Sequence, residues 1–410
     1  MTLTVQPMPP SEILTPSDEA GVAEAVRRAA AERSAVYPIG GGTAPGCGGP
    51  TLRPGIGLST SHLTRLVDHA ADDMTVTVEA GMTLAGLGRL LGARNQRLPV
   101  DLCRPDRATV GGLAATNFFG PRRYAHGTMR DYVLGLRAVD GRGEVFSAGG
   151  RVVKNAAGYN LCRLMVGSRG TLGVITELTL MVRPTPEHAA VVACDVEDLH
   201  EAESRLAALV TSQTRPVSID LCAGRPRPDC PLPGAVAEGA AARLLVGFEG
   251  SRPEIDWMVE QLGKEWGDAG IGRTTVSLAD EAASLWQWLT ELAAEVRIHV
   301  RPGAVVATVA GLLEFDPGAT VEAHAGDGVI RAQFSTREPD EWAESIVHRV
   351  SPLVDRAGGR MVVTSAPEGV ALERDAVWGR AGDGRRISQA IKESFDPHGI
   401  LNPGRYVFDG

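Results

Sequence analysis

Tryptophan is missing from the first half of this 410-residue chain, all six lying between Trp257 and Trp378. So uneven a composition, in a chain longer than one hydrophobic core usually supports, argues for two lobes. Closely spaced cysteines are missing too. The six, at 47, 103, 162, 194, 222 and 230, include no CxxC pair, which excludes an internal iron–sulfur cluster and suits isolated thiols in a reducing compartment. Clustered positive charge is scarce: the net charge is −9 and pairs such as Arg122 and Arg123 are too short to bind a phosphate backbone, which excludes a nucleic-acid partner. The opening MTLTVQPMPPSEIL has no basic segment and carries three prolines where a secretory leader needs an apolar core. The longest apolar run, Ala304 to Phe315, is broken by glycine and falls short of the ~20 residues of a membrane helix. A cytoplasmic chain without direct membrane insertion is expected. Finally, no GxGxxG follows a strand, which excludes a Rossmann nucleotide site.

What the chain does have is glycine in particular places. Between Gly149 and Pro184, the spacing of Tyr159, Leu161, Leu164, Met165 and Val166 predicts a short amphipathic helix, and Val174 to Val182 alternates as a strand. Gly167, Gly170 and Gly173 lie at and just after their junction, where glycine permits positive φ and close backbone approach. Either a planar ligand lies against this turn or it is a plain connection. Farther upstream, a strand over Ser34 to Ile39 leads into Gly40, Gly41, Gly42 and Thr43, whose successive N–H groups would enclose a pyrophosphate if this is not an ordinary surface loop. Thr109, Val110, Gly111 and Gly112 open a helical run to Asn117, either a phosphate-binding helix start or simply a turn.

Other elements fill in an α+β pattern. A helix is predicted over Pro16 to Ala31, capped near Thr15 or Ser17, with a strand over Met74 to Glu79 and a helix from Thr83 to Leu91. A hairpin is predicted for Val133 to Asp140 and Glu144 to Ser147, turning at Gly141 and Gly143. Beyond Pro184 and Pro186, strands such as Val191 to Val196 and Arg243 to Glu249 alternate with helices. The expected division is 1–186, a second α+β domain over 187–367, and a segment 368–410, with a helix from Gly384 to Phe395, returning to the first.

Four runs in this order, ATVGGLAATN, VVKNAAGYNL, GSRGTLGVITE and FDPHGILNPGR, resemble the FAD-binding subunit of bacterial glycolate oxidase, within the vanillyl-alcohol-oxidase class of flavoproteins. The resemblance spans nearly the whole chain. It implies a two-lobed FAD-binding domain of the p-cresol-methylhydroxylase type plus an α+β cap domain. It also implies that FAD contacts come from Pro38, Ile39, Gly40, Gly41, Gly42 and Thr43; from Pro105, Thr109, Gly111, Gly112, Ala115 and Asn117; from Gly127, Thr128 and Asp131; from Gly170, Thr171, Gly173 and Ile175; and from Asn402. Relatives that attach flavin covalently often have a histidine where Thr43 stands, so non-covalent FAD is expected.

The resemblance has a gap. Related dehydrogenases carry a metal site of two histidines and a glutamate, two ligands coming from HAGDGNLH; here the run is His324 to Arg331, with arginine for the second histidine. A GEHGIG segment becomes Pro367, Glu368, Gly369 and Val370, losing another histidine. One histidine and one glutamate do not make the three protein ligands of a catalytic site, so no metal is expected. His324 and Arg331 remain weak catalytic candidates, Arg331 either pairing with a carboxylate or serving structure. The resemblance thus implies a subunit acting in glycolate oxidation beside a flavoprotein catalytic subunit and an iron–sulfur subunit, and peripheral to the inner membrane only through such partners. A self-sufficient FAD-dependent oxidoreductase and a flavin-poor scaffold are the alternatives.

Overall fold

The computed structural model describes residues 2–4, 10–44, 53–150, 159–231, 239–268, 274–278, 280–336, 338–379 and 384–405. Most of the VVKNAAGYNL run, and Cys47, lie outside them. The chain divides into two compact units. The first is assembled from residues 3–118, 128–185 and 380–410, and the second from 1–2, 119–127 and 186–379. Residues 119–127 therefore group with the second unit, apart from the residues that flank them.

The first unit opens with a small parallel sheet in which Gly55–Ser59 lies between Glu12–Leu14 and Ala35–Ile39. The helix Glu19–Glu32 buries Val22, Val26 and Ala29, a spacing of four and three that sets one apolar stripe inward. It starts later than Pro16, because Asp18 is the cap: its carboxylate accepts the Gly21 N–H at 2.8 Å. Strand Ala35–Ile39 gains a neighbour from far along the chain. Val36 donates to Ile400 and accepts from Asn402, both at 2.8 Å, so residues 400–402 are stitched to it.

A five-stranded antiparallel sheet follows, in the order Leu66–Ala70, Thr75–Glu79, Val174–Met181, Val133–Val139, Val145–Gly149. The last two strands form the expected hairpin, with Gly143 at φ 78° closing the turn. Val76, Val78, Leu136, Leu178 and Leu180 bury against Leu84, Leu87 and Leu91 of the helix Leu84–Gly92, and against Val110 and Leu113 of Val110–Thr116. Thr83 caps the first of these helices and Thr109 the second, each accepting an N–H three residues on.

The second unit is built on an eight-stranded sheet whose central strands are Ala242–Gly250, Ser218–Gly224, Thr320–His324 and Val329–Gln333, all antiparallel. Trp286 buries with Leu285 and Leu289 against Val191 and Leu245 on one side of it. Among the described residues no helix is long and apolar enough to cross a membrane, and the five described cysteines are free thiols.

Candidate functional site

A cavity of about 390 Å³ lies within the first unit, in the range of roughly 300–1,000 Å³ usual for cofactor sites. Its walls are three loops and a helix. Pro38 and Ile39 end a strand and Gly40 to Thr43 continue from it; Thr109 caps the helix Val110–Thr116, which brings Gly111, Gly112 and Ala115; Gly170 and Gly173 come from the turn after the helix Leu161–Met165, and Ile175 from the strand that follows it; and Asn402 closes the end. All fourteen of these were candidate contacts in the sequence.

The glycines bring the loops together by touching protein. A Cβ on Gly41 would sit 1.7 Å from the Arg107 carbonyl oxygen, one on Gly40 2.4 Å from Thr109 Oγ1, and one on Gly111 2.7 Å from Ala80 Cβ. Gly170, at φ 72°, faces Pro38 at 3.0 Å. Glycine is needed here so that chain segments can stack, and the stacking leaves backbone edges facing the cavity. Among the described residues no acceptor is found for the N–H groups of Gly40, Gly41, Gly42 and Thr43. Four successive donors without partners are costly unless water or a ligand accepts from them, and the set suits an anion.

The helix start at Thr109 does not add to that set, contrary to the expectation for it. Val110 donates to Met82, Gly111 to Ala80, Leu113 to Thr109, and Gly112 to the Thr109 side chain. Its N-terminal donors are thus consumed by the fold.

Six expected contacts fall outside the cavity, for local reasons. Pro105 accepts from Ala85. Asn117 ends its helix at φ 46°. Gly127 closes the turn after Arg123–His126. Thr128 and Asp131 cap one another at the next helix, the Thr128 N–H donating to the carboxylate at 2.9 Å. Thr171 is fully buried, its hydroxyl donating to Ser168. The cavity also has walls that were not foreseen: Tyr37, Thr60, Cys103, Thr116, Phe118 and Arg169 among them, with Arg405. Arg169 and Arg405 stand inside quoted motifs, so adjacency was the available signal; nothing in the sequence pointed to Cys103.

One side chain holds the C-terminal part of this wall in place. Lys392, on the helix Arg385–Phe395, donates to the carbonyls of Thr171 (2.8 Å) and Leu401 (2.9 Å) and to the buried Asp396 carboxylate (2.7 Å). Asp396 in turn accepts from the N–H groups of Ile400 and Leu401. Asn402 then donates through its amide to the Arg169 carbonyl.

The residues around His324 form a different kind of cluster, in the second unit. His324 is 2% exposed and its Nδ1 lies 2.7 Å from Asp220. Arg331 is not placed to hold a substrate carboxylate. Its guanidinium donates to the carbonyls of Leu289, Thr290 and Leu292, capping the C-terminal end of the helix Asp280–Thr290. Glu322 lies between Arg227, at 2.6 Å, and Arg331, at 3.9 Å, and burial pushes its carboxyl up to about 7 against the pull of both. Among the described residues no group of three or more His, Cys, Asp or Glu side chains is arranged to hold a metal.

The short arginine pair dismissed in the sequence matters here. Arg122 and His126 both meet Glu249, at 2.7 and 2.8 Å, and Arg123 lies over the Phe119 ring. Phe119 packs on His299 edge to face. Burial, with Arg297 and Arg123 nearby, lowers the His299 imidazole to about 4. Its ordinary value is 6.5, so this neutral imidazole contributes stability fully above that pH and loses it as pH falls toward 4. In urea titrations at pH 5 the native chain should have lost about 2 kcal/mol more, relative to pH 7.5, than His299→Asn. Equal losses in the two proteins would refute it.

A family model described as an FAD binding domain matches residues 10–149, and one described as the C-terminal domain of FAD linked oxidases matches 305–406. D-2-hydroxyglutarate dehydrogenase of Xanthomonas citri pv. viticola is 30% identical, over 97% of this chain and 89% of the relative. Glycolate oxidase subunit GlcE of Escherichia coli is 30% identical, over 83% of this chain and 84% of the relative. A solved alkyldihydroxyacetonephosphate synthase superposes with a TM-score of 0.68 at 16% identity, covering 95% of this chain and 76% of that one, a likeness of fold. The fold is thus the p-cresol-methylhydroxylase type of FAD-binding fold joined to an FAD-oxidase C-terminal domain.

Proposed function

We propose a function from one premise, that this chain belongs to the FAD-linked oxidoreductases: it is the FAD-binding subunit of a glycolate oxidase-type complex, taking part in oxidation of glycolate to glyoxylate, with electrons passing to an iron–sulfur partner. The substrate class rests on what relatives bearing the names glycolate oxidase, D-lactate dehydrogenase and D-2-hydroxyglutarate dehydrogenase have in common, a 2-hydroxy acid. Oxidation removes a hydride from C2 and a proton from the hydroxyl, leaving the 2-oxo acid. FAD, when bound, supplies the two-electron acceptor. The chain's own contribution is to hold it: Gly40 to Thr43 offer four N–H donors to an anion, while Pro38, Ile175 and Phe118 give apolar cover. Thr43 offers no imidazole for attachment, so the cofactor is held non-covalently.

The observation that carries the subunit reading is the contrast between the two units. The first keeps an open cavity with unmatched donors, whereas in the second Arg331 is consumed by a helix end and His324 is buried against Asp220. Among the described residues there, no group of three or more His, Cys, Asp or Glu side chains is arranged to hold a metal.

The test uses the purified full chain loaded with FAD. The flavin should be released by acid precipitation, and its absorbance should stay unbleached under anaerobic glycolate, D-lactate or D-2-hydroxyglutarate. Bleaching should appear with glycolate when the flavoprotein catalytic and iron–sulfur subunits are co-purified. Rapid bleaching of the chain alone would identify a self-sufficient dehydrogenase instead, and a colourless chain that cannot be reconstituted would identify a scaffold.

A further inference from the structure

We propose that Arg107 supplies the full positive charge that holds the FAD diphosphate at the Gly40–Thr43 loop, an assignment that rests on reading the cavity as the FAD site. The diphosphate is doubly anionic, and backbone N–H groups bring only partial charges to it. The loop's own four residues carry no charged side chain. Neither does the neighbouring helix start help, since its N–H groups are already bonded to Met82, Ala80 and Thr109. A side chain that reaches the loop would add the full charge that its N–H groups lack.

The stacking of chain segments brings one there. The backbone of Arg107 lies directly on Gly41, so close that a Cβ on that glycine would meet the Arg107 carbonyl at 1.7 Å. Gly42 takes the left-handed conformation at φ 63°, and the one heavy atom recorded within 4 Å of the position of a Cβ there is Arg107 Nη2, at 3.8 Å. The guanidinium therefore lies beside Gly42, one of the four residues with unmatched donors. It is exposed, and among the described residues it has no hydrogen-bond or ion-pair partner. The two arginines that line the cavity differ in that Arg169 and Arg405 each make interactions of their own, with Arg169 Nη1 and Arg405 Nε left buried without a hydrogen-bond partner. Arg107 is thus an uncommitted, planar, five-donor cation at the edge of an uncommitted anion cradle, and a phosphate oxygen satisfies both.

The experiment compares FAD binding to deflavinated full-length wild type, Arg107→Gln and Arg107→Lys, titrated by flavin fluorescence at several salt concentrations. Arg94→Gln serves as the control for net charge. That arginine is exposed beyond the C-terminal end of the helix whose first residue, Leu84, lines the cavity. Arg107→Gln should raise Kd roughly tenfold, as expected for loss of a charge-assisted bond to phosphate. It should also flatten the dependence of log Kd on log salt, because a screened ionic contact has gone. Arg107→Lys should recover part of both, and Arg94→Gln should match wild type. The melting temperature of the apo-protein should be the same in all four, since neither side chain holds another part of the fold. A Kd for Arg107→Gln within twofold of wild type, an unchanged salt slope, or an equal loss in Arg94→Gln overturns the role of Arg107 while leaving the cavity reading intact. A wild-type chain that takes up no FAD at any salt concentration overturns the cavity reading, and this assignment with it.

Discussion

Gly41→Ala should leave a folded protein that no longer retains FAD. The added methyl would overlap the Arg107 carbonyl, 1.7 Å away, and its carbon, 2.5 Å away, so two backbone segments must separate. No flexible side chain can absorb that displacement. Overpacking of this kind costs about 1–3 kcal/mol, and the strain falls on the loop that bears the four unmatched donors. Gel filtration in FAD-free buffer should strip the variant of flavin while its far-ultraviolet circular dichroism matches wild type. The comparison that gives the result meaning is Gly88→Ala. Gly88 lies within the helix Leu84–Gly92 with nothing within 4 Å of an added methyl, so alanine there should stabilise by about 0.5–1 kcal/mol and keep the flavin. If Gly41→Ala kept its flavin as firmly, the loop would not be the cofactor's seat.

Lys392→Met should cost more in stability than any other single change described. Its ammonium is shared among two carbonyls and a carboxylate, and Asp396 has no exposed side-chain surface. Removing one partner of a buried ion pair leaves the other charged in a low-dielectric place, typically a loss of about 3–5 kcal/mol. Thermal melting should fall by on the order of 10 °C. Because Thr171 belongs to the turn that also carries Gly170 and Gly173, FAD affinity should fall in the same variant. A melting temperature within two degrees or so of wild type would show that the bonds at Lys392 are replaced by water at no cost.

The sequence was legible where the determinants were local. Glycine after a β-branched strand marked Gly40 to Gly42, and threonine before a pair of glycines marked the cap at Thr109, because turn chemistry and capping act over three or four residues. The failures came from partners far away in the chain. The donors of the helix start at Thr109 looked available because their acceptors, Ala80 and Met82, belong to a different element. Of the two roles open for Arg331 the structural one is what it takes, but the helix end it caps lies some forty residues earlier, so the sequence did not show what it would hold. Arg122 was set aside only as a nucleic-acid contact, and its bond to Glu249, 127 positions away, gave no signal in the sequence. Even the cap of the first helix, expected near Thr15 or Ser17, is Asp18, a choice that only the settled backbone decides.

The bonds joining Val36 to Ile400 and Asn402, and Lys392 to Thr171, impose an order on events during synthesis. A ribosome that has completed the glycine loop, the helix at Thr109 and the GSRG turn has still to make more than two hundred residues before Lys392 and Asn402 emerge. Until then the cavity lacks its last wall. Flavin loading should therefore wait until those residues are made, and a nascent chain stalled before residue 392 should be recoverable with its second unit compact and no flavin bound.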